Sequence, residues 1–250
     1  MHESYRERAE RIRALRDPAA LVREALKRSM DVQLVVARLD ECEPDEHAAR
    51  VVIDAHDRGE APSWLAAVLL GRVRHRTGYA KSIEILRRCD RLLSEDYAAV
   101  AAVRIAGADA ERDLVDVVNT MEDGNARKAA ASGLGMIGTA SAIAFLAGAP
   151  ARSRLRGASV AHALAGAAVE TRTMLEALRS PDLETRRWPP MLIAGRLRSA
   201  AGEENLLPAV PDEPELRAAL AALIEERVGA EGVLWRADAD VIRDWLARAE

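Results

Sequence analysis

Apolar residues recur through this chain at three- and four-residue steps, the spacing that gathers them on one face of an α-helix. Residues 110–122 are a clear instance, with Leu114, Val117, Val118 and Met121 at i, i+3, i+4 and i+7. The pattern predicts helices over 3–16, 18–29, 30–41, 43–57, 62–74, 79–93, 94–107 and 110–122. It continues over 125–138, 140–149, 153–166, 168–180, 183–197 and 215–228, and ends in a closing helix striped by Val241, Trp245 and Leu246. Asp17-Pro18 supplies an N-cap and a first helical residue, and Pro62 suits a helix start. A helix of one or two turns is predicted near 203–208, after which Pro208, Pro211 and Pro214 prevent continuation.

The helices pair off, and the pairs repeat. Arg127, Arg156, Arg186 and Arg217 are separated by 29, 30 and 31 positions. Seven residues after each lies Leu134, Ala163, Ile193 or Ile224, two turns on and on the same face. Four residues before each lies Asp123, Arg152, Asp182 or Glu213, three of them acids placed where a helix N-terminus favours an anion. A helix-turn-helix unit of this length cannot bury its own apolar face and must stack on copies of itself. The clearest units are 94–122, 123–149, 153–180, 183–209 and 213–250, within a repeat region 44–250 that reads as one continuous domain. Residues 1–43 are expected to form an atypical helical cap, as terminal repeats require.

Composition agrees with an all-α chain: 49% of residues are hydrophobic but only 3% aromatic, and alanine dominates. The net charge of −4 gives no global field that favours nucleic acid. Locally the balance alternates: residues 125–200 are basic, flanked by acidic stretches at 92–124 and 201–250. Cys42 and Cys89 show no metal or redox spacing and suggest a reducing compartment. The charged N-terminus lacks the apolar core of a signal peptide, and runs such as 64–70 are too short to span a bilayer. A cytoplasmic location and no membrane partner are the expectation.

Residues 123–149 resemble the short HEAT-like repeat found in phycobilisome-lyase HEAT-like proteins. The residues that carry the likeness are Asp123, Ala126-Arg127, the alanines at 129–131, the turn Leu134-Gly135-Met136-Ile137-Gly138 and the second helix from Ala142 to Leu146. Residues 153–180 match through Leu155-Arg156, Ala158 and Gly166, and the units at 183 and 215 match in register. The resemblance implies a right-handed α-α superhelix, a solenoid of stacked pairs with first helices on the convex side and second helices lining the concave side. It implies little about activity: HEAT-like proteins mostly serve as interaction scaffolds, and fold alone does not choose among partners.

The repeated arginines, three of the four set against an acid, read as a structural ladder between units; Arg152, where the acid is missing, is the position free to bind. Arg154, Arg186, Arg187, Arg196 and Arg198 fall near helix starts and turns and read as a solvated rim. Trp188-Pro189-Pro190 should break a first helix, with a local bend or an outward Trp188 that anchors a partner as the consequences. Trp64, Trp235 and Trp245 sit in core register. No histidine pair has metal spacing, His56 points away from Asp54 and Asp57, and no nucleophile elbow or phosphate-binding loop is present, so neither a catalytic residue nor a cofactor or metal is assigned.

The function expected is a non-enzymatic scaffold that binds another protein or peptide on the concave face. The second helices then supply the contacts: Arg112, Asp116 and Asn119, Ser141 and Phe145, and Arg172, Glu176 and Arg179, with Trp188 beside them. Two alternatives are a nucleic-acid binder of the HEAT-like DNA glycosylase kind and a chromophore lyase-like protein. The scarcity of aromatic residues for base stacking counts against the former.

Overall fold

Side-chain caps set where the helices begin. In the computed structural model, which describes residues 4–88, 94–200, 207–225 and 236–248, every regular element among the described residues is helical. The chain forms two compact units, Met1–Asp113 and Leu114–Glu250. The division falls inside the helix Glu111–Thr120.

The N-terminal unit begins with α1 (Tyr5–Ala14), held by a reciprocal capping box between Ser4 and Glu7. Asp17 caps α2 (Pro18–Lys27), accepting from the amides of Ala19 and Ala20 at 3.1 Å each. Then come α3 (Val32–Leu39), α4 (Glu46–Asp57), α5 (Ser63–Val73), α6 (Tyr79–Arg88) and α7 (Ser94–Ala106), with α8 (Glu111–Thr120) closing the series. Helices α1, α3, α5 and α7 pack on one another in sequence as one row, and α2 packs on α4 in a second. Helices α5 and α7 pack closely because Gly71 faces the backbone of Ala101, where a Cβ would lie 3.1 Å from its Cα. Leu65, Leu69, Leu70, Ile85 and Leu86 are among the buried side chains of its core.

Tyr79 joins this unit to its last turn by donating its hydroxyl to Asp113 at 2.8 Å. Burial, and then that hydrogen bond, push the hydroxyl well above the ordinary tyrosine range. A raised folded-state value means the contribution to stability is whole below about pH 10 and is lost as pH climbs toward the folded value. Denaturant titrations at pH 9 and pH 11 are expected to show a larger loss for the wild-type unit than for Tyr79→Phe.

The C-terminal unit contains α9 (Gly124–Ile137), α10 (Ala140–Arg152), α11 (Gly157–Ala163), α12 (Thr171–Leu178), α13 (Leu183–Ala200), α14 (Pro214–Glu225) and α15 (Arg236–Ala247). Asp123 caps α9 and Thr139 caps α10. Gly138, with φ of 65°, takes the left-handed turn that ends α9. Helices α9, α11, α13 and α15 form one row of neighbours and α10, α12 and α14 the other.

Three sequence expectations change here. First, Trp188-Pro189-Pro190 does not break the helix: α13 runs through both prolines. Trp188, Pro189 and Pro190 are buried, and α13 is gripped by α10, α11, α12 and α15, so packing outweighs donors whose loss costs about 3 kcal/mol in an exposed helix. Second, α14 lies in the row of second helices and α15 in the row of first helices, so Arg217 belongs to a different layer from Arg127 and Arg186. The proline-rich segment 207–213 is not helical, and α14 itself supplies the second helix after α13. The short helix predicted near 203–208 is largely outside the described residues, as are Cys89 and Trp235. Third, Gly135 is inside α9 rather than in a turn. A Cβ there would sit 1.8 Å from the carbonyl oxygen of Ala163, so its hydrogen is what lets α11 approach. Gly157 does the same for α13, with Glu184 O at 2.3 Å.

Candidate interaction groove

The row α3, α5 and α7 carries an apolar pocket of about 140 Å³, roughly the volume that holds one benzene-sized group. Val36, Val68 and Val100 lie along it, one per helix and each 32 positions from the last. Trp64, half-buried, and Tyr97, 42% exposed, add aromatic surface. At the edge, Asp40, Arg72 and Arg104 are again 32 positions apart. Asp40 accepts from Arg72 through one carboxylate oxygen and from Arg104 through the other, the latter at 2.7 Å. Two guanidiniums share one carboxylate, leaving one positive charge in excess beside an apolar hole. Equivalent positions on successive helices thus build the pocket, which the 29-to-31 arginine period further along the chain did not reveal. A scan at period 32 over residues 32–104 is the signal that finds it.

The sequence-predicted ladder is built differently from its expected form. Asp123, Asp182 and Glu213 stand at the N-cap positions, and Arg127, Arg186 and Arg217 four residues on donate their backbone amides to the carbonyls of those acids at 3.0 to 3.3 Å. The acids turn to other donors: Asp123 to the amides of Asn125 and Ala126, Asp182 to Thr185, and Glu213 to the Thr171 hydroxyl. Arg217 pairs with Asp212 at 2.6 Å, stacks 4.3 Å from the centroid of Trp245 and donates to the carbonyls of Trp245 and Leu246 at the end of α15. Arg156 precedes α11 as its N-cap and is exposed. What these positions share is a cap-plus-fourth-residue backbone device.

Arg196 is the largest departure from expectation. Its sequence position suggests a solvated rim, yet only 3% of it is exposed, and it donates to the carbonyls of Leu164, Ala165 and Ala167 past the end of α11. Burial lowers its pKa, and the three carbonyls compensate the charge. Arg196→Met is expected to cost about 2 kcal/mol in denaturant unfolding because those acceptors lose their donor. Arg196→Lys should not restore it, since an ammonium cannot reproduce the planar fork.

The second-helix candidates divide. Arg112 and Asn119 are exposed and Asp116 half-buried on α8; Arg112 lies 3.5 Å from Asp113. On α10, Ser141 is exposed with its hydroxyl 3.2 Å from that of Thr139, while Phe145 is half-buried beneath Arg152. On α12, Arg172 and Glu176 pair with each other at 2.9 Å and Arg179 is exposed. Trp188 does not join them: it is fully buried, and its indole N–H donates to Ala147 O at 3.1 Å, which corrects its reading as an outward anchor.

His56, Ser63 and Asp57 come together in the N-terminal unit without the geometry of a catalytic triad. His56 Nε2 lies 3.2 Å from Ser63 Oγ, but Nδ1 is 3.7 Å from Asp57, beyond a hydrogen bond. Asp57 is engaged by Lys81 at 2.7 Å, and both His56 and Ser63 are buried. Among the described residues no group of three or more His, Cys, Asp or Glu is arranged to hold a metal, and no helix is long and apolar enough to cross a membrane. No protein-family model, curated protein or solved structure matches this chain.

Proposed function

We propose that this chain is a HEAT-like helical-repeat scaffold acting in the cytoplasm, a non-enzymatic protein whose business is to hold another protein or peptide. The contact surface is the groove on α3, α5 and α7 rather than the second helices. One observation carries the reading: α3, α5 and α7, neighbours in one row, present a valine and a charged residue every 32 positions, and the three valines with Arg72 and Arg104 line one pocket. Repetition of this kind suits an extended ligand, each repeat meeting the next stretch of chain. The apolar hole accepts one hydrophobic side chain, Tyr97 and Trp64 give it rigid aromatic walls, and the excess guanidinium charge favours a neighbouring carboxylate. The ligand is therefore a peptide segment with a bulky apolar residue beside Asp or Glu.

Selection of a displayed random-peptide library on the full chain tests this. An enriched apolar-acidic motif, depleted when selection is repeated on Tyr97→Ala, is the expected result. Enrichment that persists unchanged on Tyr97→Ala, or a basic motif, would refute it.

A further inference from the structure

The C-terminal unit holds a second, polar cleft of about 480 Å³, unrelated to the groove above. It opens between the end of α8 and the segment that follows α10, and three guanidiniums line it: Arg127, Arg152 and Arg154. Their own partners within the chain are few. Among the described residues the Arg127 side chain reaches only Met121 O, at 3.4 Å, and its Nε is buried with no hydrogen-bond partner there. Arg152 spends one nitrogen on Phe145 O at 3.1 Å and rests over the Phe145 ring, 5.5 Å from its centroid. Arg154 is exposed and makes no ion pair or hydrogen bond among the described residues. The one carboxylate in the lining is Glu122, so three positive charges face one negative. Asn119 at the mouth adds an amide that can donate.

We infer that this cleft binds a small phosphate monoester. Guanidinium forks match the oxygens of a dianionic phosphate, and two surplus positive charges match its charge. The cleft is open and leaves room beside the guanidiniums for an organic body, and its polar lining suits a hydroxylated one. The positions explain themselves in the repeat. Arg152 occupies the place held by an acid in the neighbouring units, and Arg156 stands at the N-cap of α11 rather than within the helix.

Isothermal titration of the full chain with glycerol 3-phosphate, inorganic phosphate and citrate provides the test. Glycerol 3-phosphate is expected to bind saturably at one site, more tightly than inorganic phosphate, and more weakly as sodium chloride is added. Arg154→Gln should weaken binding roughly tenfold while leaving the thermal melt unchanged, because Arg154 is exposed and makes no ion pair or hydrogen bond among the described residues. Arg152→Gln should weaken it to a similar degree. Absence of saturable binding, citrate binding as tightly as the monoester, or binding indifferent to Arg154→Gln would each overturn the assignment. So would equal, Arg154-dependent binding of an oligonucleotide that lacks a terminal phosphate.

Discussion

Gly135→Ala is expected to destabilise the C-terminal unit by about 3 kcal/mol or more, the upper end of what overpacking costs. The added methyl would meet Ala163 O at 1.8 Å and Ala163 C at 2.6 Å. These are backbone atoms of α11, so no side chain can rotate away. Relief requires α11 to move off α9, and α11 is also held against α13 at Gly157, where Glu184 O stands 2.3 Å from the site of a Cβ. The strain therefore spreads along a row of three helices. Gly195→Ala is the matched control: nothing lies within 4 Å of its Cβ position, and it is inside α13 without positive φ. There alanine should raise stability by about 0.5–1 kcal/mol through helix propensity alone. Urea unfolding followed by circular dichroism reads both. Loss at Gly195 or tolerance at Gly135 would show that the helix rows are not packed as described.

Trp188→Ala should cost about 3–5 kcal/mol, the range for emptying a large aromatic site in a core. Trp188 is the largest fully buried side chain in the described structure, and its indole N–H reaches across to Ala147 O on α10. Truncation removes both the packing and the donor, leaving a carbonyl without its partner. It also withdraws the support that holds Pro189 and Pro190 in helical conformation, so α13 loses its reason to run on. Trp188→Phe separates the terms: it keeps most of the apolar volume and forfeits the hydrogen bond, for about 1 kcal/mol plus the unfilled space. An outward Trp188, the alternative that its sequence context suggests, predicts almost no loss for either variant.

Helix content was legible because it depends on local pattern. Asp17-Pro18 and Asp123 cap where their side chains can reach amides two and three residues on, and alanine-rich stretches have little alternative to helix. The failures share a different cause. At Trp188-Pro189-Pro190 the local rule is sound, but four surrounding helices override it. Arg196 looks like any surface arginine until the three carbonyls that receive it, 29 to 32 residues upstream, are folded into place. Arg217 keeps the arginine period but changes row: α14 packs on α12 among the second helices, and α15 takes the place beside α13. The groove escaped notice because Val36, Val68 and Val100 are ordinary helical valines whose shared register matters only once α3, α5 and α7 stand side by side. Asp40, Arg72 and Arg104 repeat at the same interval, and that coincidence of two ladders is what sequence alone could have offered.

Two surfaces compete for the role of contact face, and one titration separates them. A fluorescent peptide with an apolar residue next to an acidic one, taken from the library selection, is titrated by anisotropy against the wild-type chain, Tyr97→Ala, and the double variant Arg172→Ala/Glu176→Ala. Tyr97→Ala is predicted to weaken binding at least tenfold, as expected when an aromatic anchor is lost, with the α12 double variant unchanged. Binding that survives Tyr97→Ala and fails in the double variant would contradict the account and return the contact to the second helices.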